Sequence, residues 1–380
     1  MKILLVSHRF PWPLSHGTYL RVHALAKRFV QSAEVSLFSF GANDELVQRY
    51  TDMGVRFCGM HDPPVDGRPR FVLSPFHHDE QFQNLLSEEL ERGDYDAAIL
   101  FGAKMLQYAE LFKGMKVVAD VVDDPVLEWR RLLKVNWYRS EGLRLGRYLL
   151  GWFLYERRYA QHLDHVVFVS ETDSKSFALR NRKVSAQTIV NGVDLDFFRP
   201  MTNLSSEKSV VFTGNMAHQP NLDAALYLLK EIAPRVWEND PDIRFVVCGA
   251  NTPTKLTELA TERVQVLGWV DDIREPIARA GVVILPMISG TGIKNKLLEA
   301  WAMEKPVVMT TLSCQGVNAL AGENCEIADT AETLARVVLS LFESSSQAEK
   351  IAVAGRQCVE TFHNWDRLAA DYTDLLVEKD

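Results

Sequence analysis

The sequence predicts an α/β protein built of two Rossmann-like, doubly wound halves facing a central cleft. Three observations carry this. Short apolar runs alternate with longer amphipathic stretches, the pattern of parallel strands covered on both faces by helices. The alternation stops at a polar stretch near residue 200 and then starts again. The chain has 380 residues, 47% of them hydrophobic, which is enough for two domains of ~100–200 residues each and too apolar for a disordered chain.

In the first half, strands are expected at 3–7, 34–40, 55–58, 97–101, 116–122 and 165–170, each a short run rich in Val, Ile, Leu, Phe or Ala. Residues 19–30 and 44–53 carry helical spacing between them. Asn191-Gly192 and Arg199-Pro200 are turn chemistry, and 201–208 reads as a linker. In the second half the strands are expected at 209–214, 244–248, 264–267, 282–285 and 306–309, with one long helix at 221–239. An amphipathic helix at 365–377 closes the chain. The expected division is 1–200, 201–362 and a terminal helical segment, 363–380, that returns to the first domain.

Composition narrows the function classes. Lys and Arg number 42 against 50 Asp and Glu, a net charge of −8. A nucleic-acid binder needs an excess of cations to replace counterions on phosphate, so no nucleic-acid partner is expected. The five cysteines are scattered with no CxxC pair, which points to reduced thiols and a cytoplasmic location rather than a disulfide frame or zinc site. The first apolar run is too short for a signal peptide, and no run approaches the ~20 residues of a membrane span.

The strongest local motif runs from Pro286 to Ala300. An apolar strand ends, a loop with Gly290, Thr291 and Gly292 follows, and a helix begins near Ile293 carrying Lys294, Asn295, Lys296 and Glu299. Free N–H groups at a helix start favour an anion, and glycines let a ligand approach the backbone. Two lysines add positive charge, and a carboxylate one turn on accepts hydrogen bonds from sugar hydroxyls. The array suits a diphosphate beside a polyol; the plain alternative is a glycine turn before an ordinary charged helix. No Walker loop is present, and the loop after the first strand has only Gly17, so a dinucleotide site there is not expected.

Taken with other motifs in order, this segment resembles the nucleotide-binding region of family 4 (group 1) glycosyltransferases of GT-B fold. Phe10-Pro11 with Gly17 and Arg21 resembles their acceptor-side first loop. Phe212-Thr213-Gly214 resembles the first strand and glycine loop of their donor domain, and Gly268-Trp269-Val270 the loop at the nucleobase. The stretches 120–130 and 214–221, with Asn295-Lys296, are similar to sugar transferases associated with exopolysaccharide and PEP-CTERM/exosortase loci.

The resemblance implies retaining transfer of a sugar from a UDP- or GDP-linked donor to a glycan or lipid-diphosphate-linked acceptor, with no metal and no other cofactor. Lys294 and Lys296 face the donor phosphates and stabilise the departing diphosphate. Gly214, Asn215, His218, Gly268, Trp269, Gly290, Thr291, Gly292, Asn295 and Glu299 line the donor, with Glu299 on the ribose. Gly17 and Arg21 border the acceptor. Read from the residues themselves, His8 and His16 in the first loop either contact the acceptor sugar or are ordinary exposed loop histidines, and Asp123 either assists the chemistry or belongs to a helix start. Three departures stand out: Thr291 replaces an earlier glutamate, no Arg or Lys follows Gly214, and the middle strand of the first half lacks its usual histidine. They keep open a second reading, a non-catalytic nucleotide-sugar or glycan-binding homologue.

Two other features have competing readings. Asp120, Asp123 and Asp124 form either a cation cluster or, with Pro125, a helix cap. Residues 130–158 hold eight basic residues against two acidic ones, with Trp and Tyr interleaved. This reads as a peripheral contact of 129–159 with the inner membrane, or as a helical pair with its aromatics inward. His77-His78-Asp79-Glu80 reads as a solvated loop or helix start.

Overall fold

The computed structural model describes every residue except 13, 15, 16, 63–74, 137–141, 202, 203, 205, 291 and 378–380; the side chains of 131–136 and 142–145 also lie outside the description. The expected site residues His16 and Thr291 therefore fall outside the described residues. Two compact units emerge, Met1–Val190 with Trp365–Asp380, and Asn191–Asn364.

The first unit is a seven-stranded parallel sheet in the order β3-β2-β1-β4-β5-β6-β7. Its strands are β1 (Lys2–Arg9), β2 (Glu34–Phe40), β3 (Val55–Phe57), β4 (Ala97–Phe101), β5 (Lys116–Val122), β6 (His165–Phe168) and β7 (Ser185–Thr188). Helices α1 (Gly17–Phe29), α2 (Asp44–Asp52), α3 (Glu80–Arg92), α4 (Pro125–Asn136), α5 (Gly142–Tyr159) and α6 (Glu171–Arg180) connect them. Ile3 lies in register with Val35 on one side and Ala97 on the other, so β1 is central and its run Ile3–Val6 is fully buried. The chain order reverses between β1 and β4, and the carboxyl ends of those strands flank the switch point where open α/β sheets bind ligands.

The second unit is a six-stranded sheet, β10-β9-β8-β11-β12-β13. It comprises β8 (Glu207–Thr213), β9 (Arg244–Cys248), β10 (Val264–Gly268), β11 (Ala280–Leu285), β12 (Val307–Met309) and β13 (Glu326–Ile327). Its helices are α7 (Gln219–Tyr227), α8 (Ala233–Trp237), α9 (Thr254–Thr257), α10 (Arg274–Arg279), α11 (Asn295–Ala302), α12 (Ala331–Glu343) and α13 (Ser345–Phe362). Here the switch point lies between β8 and β11.

Several expected boundaries move for local reasons. The strand expected at 165–170 stops at Phe168 because Ser170 caps α6, accepting from Asp173 N at 3.2 Å. The single helix expected at 221–239 is interrupted over Leu228–Ile232 by a π turn, with Ala233 N–H bonding Leu228 O. Pro234 has no N–H for the usual partner four residues back, so the ladder slips by one. The division between units falls at 190/191, ahead of the expected 200. Val193 bridges to Asn364, and Phe198 is buried in the second unit's core. The terminal helix α14 (Trp365–Val377) buries Trp365, Leu368, Tyr372 and Leu376 in the core of the first unit with Val22, Leu25 and Val118.

Candidate functional site

The carboxyl ends of β8, β9 and β11 bring together most of the predicted donor residues. Gly214 follows β8 and donates its N–H to Cys248 O at 2.9 Å. A Cβ on Gly249 would sit 1.9 Å from Gly214 O, and one on Gly214 would sit 2.6 Å from Lys296 Nζ. A side chain at Gly249 would run into the Gly214 backbone, and one at Gly214 would displace the tip of Lys296, so the two loops and the lysine come this close because both residues are glycine. After β11 the loop turns on Gly290 (φ +102°) and Gly292 (φ +73°). A Cβ on Gly290 would touch Pro220 at 3.2 Å, so this loop lies against the one that follows Gly214. Thr310 Oγ1 donates to Met287 O at 2.8 Å, and Ser313 Oγ to Leu285 O at 2.7 Å, bracing the β11 end from beneath.

Helix α11 starts at Asn295 rather than Ile293, since the left-handed Gly292 and the extended Lys294 cannot be helical. Lys296 is the centre of the site. Its Nζ donates to Asn221 Oδ1 at 2.7 Å and lies 4.3 Å from the centre of the Phe212 ring, a cation–π contact with a fully buried aromatic. Lys296 and Glu299 each keep a little exposed surface but are surrounded by protein. Burial lowers the Lys296 ammonium to about 7 against the partial support of Glu299, and burial raises the Glu299 carboxyl to about 7 against the pull of Lys296. The pair sits one turn apart, poised near neutrality, and an arriving anion favours its protonated form.

Lys294 is placed differently from the expectation. It is 8% exposed, and its ammonium donates to Gly292 O at 2.7 Å, so it braces the glycine loop. Asn295 accepts from Asn191 Nδ2 at 3.0 Å. Asn215 is exposed and accepts from Asn251 Nδ2 and Ala217 N, each at 3.0 Å. Asn251 holds a left-handed φ of +57°, which asparagine tolerates. His218 is exposed at the start of α7. Gly268 O accepts from Gly249 N at 2.7 Å, which places the β10 end beside this loop, and Trp269 there is 68% exposed. Asn221, Gly249 and Asn251 were not expected. A glycine directly after a strand run and an asparagine after Pro220 are the signals that mark them.

In the first unit Arg21 corrects the expectation of an acceptor contact. It is fully buried. Nε donates to Asp120 Oδ2 at 2.8 Å, and the other nitrogens donate to Val190 O, Ile189 O and Tyr372 Oη at 3.0, 3.1 and 2.5 Å. Tyr372 Oη donates to Asp120 Oδ2 at 2.8 Å. Burial alone would lower the arginine's proton affinity, but Asp120 holds it above the ordinary value. Arg21 is thus an internal tie among α1, β5, α14 and the segment after β7.

The three aspartates separate likewise. Asp124 caps α4 through Val126 N at 3.0 Å and pairs with Arg180 at 2.8 Å. Asp123 is exposed, beyond a tight turn in which its N–H bonds Val121 O at 3.1 Å and Val122 takes φ +75°. A β-branched residue at that angle is strained. Among the described residues no group of three His, Cys, Asp or Glu side chains gathers as a metal site.

At the first unit's switch point the structure sets a lysine that was not expected against the first-loop histidine. His8, near the end of β1, and Lys104, beyond β4, meet at Nε2–Nζ 2.6 Å. Burial, with Lys104 next, lowers His8 to about 4. Burial lowers Lys104 to about 8, partly offset by Asp79. Asp79 is buried and caps α3 through Phe82 N at 3.0 Å, so His77–Glu80 is a helix start rather than a solvated loop. Gly17 opens α1, and a Cβ there would meet nothing within 4 Å.

In α5 the aromatics and cations divide. Trp152 and Tyr155 pack edge-on against Phe76 at 5.1 and 5.6 Å, whereas Arg147, Leu150, Phe153, Leu154, Arg157 and Arg158 are exposed. No helix among the described residues is long and apolar enough to cross a membrane.

The fold is GT-B, with two Rossmann-like units of the kind seen in glycosyltransferase structures. It is similar over 100% of both chains to Anabaena Alr3699/HepE, crystallised with UDP and glucose (TM-score 0.70, 13% identity). It resembles the sucrose-phosphate synthase of Thermosynechococcus elongatus over 98% of each chain (TM-score 0.68, 15% identity). A glycosyltransferase from Rickettsia africae matches over 100% of this chain and 99% of its own (TM-score 0.69, 16% identity). Residues 207–344, the bulk of the second unit, match the family model of the group 1 glycosyl transferases. An uncharacterized 44.6 kDa protein in the cps region of Klebsiella pneumoniae is 24% identical over 154 residues, 38% of this chain and 39% of that protein. The chain thus spans about two fifths of the length of this relative.

Proposed function

We propose that the protein is a retaining glycosyltransferase that moves a sugar from a nucleotide diphosphate sugar to a glycan or lipid-linked acceptor in cell-surface or exopolysaccharide synthesis. The observation that carries it is the glycine-walled gap at the second sheet's switch point, with Lys296 held beneath Gly214 and Glu299 one turn on. A diphosphate there neutralises the lysine, and the start of α11 adds its N–H groups. Glu299 accepts from the ribose hydroxyls. The exposed Trp269 stacks on the base. No side chain in the gap is an evident nucleophile, so same-face departure within an ion pair is the mechanism that fits. The first unit takes the acceptor at its own switch point, near Gly17, His8 and Lys104, with Asp123 at the strained turn after β5. The UDP complexes of Anabaena HepE and the cps-region relative support the donor class and the biological setting. The Arg-rich, apolar outer face of α5 suits the cytoplasmic surface of an anionic membrane carrying a lipid-linked acceptor.

A thermal-shift screen with UDP, GDP, ADP and dTDP tests the donor reading. At 100 times its Kd a ligand adds ~2.7 kcal/mol to stability. The matching nucleotide should raise the melting point of the second unit by several degrees. No shift with any of the four removes the donor site. A shift without sugar release from the matching nucleotide sugar would leave a binding homologue.

A further inference from the structure

We propose that Asn221 is a positioning residue for Lys296, its side-chain amide bridging from the Asn215 backbone to the lysine so that the ammonium stays in the gap beneath Gly214. This rests on the donor-site reading of that gap.

Both ends of the amide are used. Nδ2 donates to Asn215 O at 2.9 Å, and Oδ1 accepts from Lys296 Nζ at 2.7 Å. The reverse orientation would set NH2 against NH3⁺ and oxygen against a carbonyl, so the partners themselves fix which end is which. A lysine stem is flexible, and holding it in one place costs rotamer freedom. Here three groups confine it: the Phe212 ring below, the Asn221 oxygen at the side, and the bare Cα of Gly214 above, where a Cβ would come within 2.6 Å of Nζ. The charged groups acting on the ammonium are Glu299, which supports it, and Lys294, which opposes it. Asn221 adds a neutral acceptor that favours the charged lysine without placing a second negative charge where a diphosphate must lie. Its own N–H bonds His218 O at 3.0 Å, so the residue also belongs to the start of α7, and a test must separate the two roles.

The direct readout is the titration of Lys296 in ¹³C-lysine-labelled protein, its resonance assigned by loss in Lys296→Met. Asn221→Ala removes the acceptor and should move the Lys296 midpoint to lower pH. Asn221→Asp keeps an acceptor of the same shape, adds charge, and should move it to higher pH. UDP is the binding probe: Asn221→Ala should raise its Kd about 10- to 150-fold at pH 7, the loss of one hydrogen bond to a charged group. The pH at which UDP affinity halves should move in opposite directions in the two variants. A purely structural role predicts weaker binding with both midpoints unmoved, and that result overturns the proposal. If Asn221→Ala does not fold, the direction of the Asn221→Asp shift decides alone. If Lys296→Met binds UDP as the parent does, the donor reading fails while the titration still reports on Asn221.

Discussion

Replacing Arg21 by Met tests whether this residue is a tie or a ligand contact. The change removes the Nε–Asp120 bond and leaves a fully buried carboxylate whose Oδ1 already has no partner and whose Oδ2 retains only Tyr372 Oη. It also orphans the carbonyls of Ile189 and Val190. Breaking one side of a buried ion pair costs ~3–5 kcal/mol, because the other charge stays buried. In a unit of about 200 residues, ~1 kcal/mol corresponds to ~2–4 °C. Arg21→Met should therefore lower the melting transition of the first unit by ~6–20 °C. Asp120→Asn should also destabilise, and the double variant should lose less than the two together, with ~1–3 kcal/mol of coupling. Calorimetry with a tryptophan-fluorescence urea titration measures this; Trp365, in the same core, is a natural reporter. An Arg21→Met protein that melts like the parent but no longer takes acceptor would refute the structural assignment.

Other consequences follow from the same geometry. Gly214→Ala should push Lys296 Nζ away by about an ångström and weaken UDP binding at least tenfold, while the melting point changes little; the glycine's φ is not left-handed, so strain is not the cause. Nucleotide affinity should fall as pH rises through about 7, where Lys296 loses its proton, rather than near the ordinary lysine value; calorimetric titrations between pH 6 and 9 check this, and uptake of a proton on binding should accompany it. Unfolded Glu299 releases its proton below the folded value of about 7, and unfolded Lys296 keeps its own above it, so their joint contribution to stability should be lowest near neutrality. Denaturation of Lys296→Met/Glu299→Gln across pH 4–10 should remove that dip. Leu150→Glu with Phe153→Glu should reduce sedimentation with anionic vesicles and leave UDP binding unchanged, since both side chains are exposed on α5.

The sequence by itself determined the layers, because the information is local. Short runs rich in apolar residues that recur between amphipathic stretches mark the strands of a parallel sheet, and 34–40, 97–101, 116–122 and 244–248 appear where the runs are. The glycine loop before α11 was equally legible, since left-handed turns strongly favour glycine. Edge strands Ser185–Thr188 and Glu326–Ile327 were not, because an edge needs little apolar surface to pair.

What only the tertiary structure decided was which charges meet. Arg21 and Asp120 are 99 residues apart, and Lys296 and Asn221 are 75 apart. Nothing in either neighbourhood tells whether an arginine is paired in a core or presented to a ligand. Asp120, Asp123 and Asp124 allow either a cluster or a helix cap, and the fold separates them: Asp120 stays in β5 against Arg21, Asp123 lies in the turn after it, and Asp124 caps α4. Side-chain chemistry is written in the residues; its proton affinity and direction are set by burial and by partners that the sheet's crossovers bring alongside.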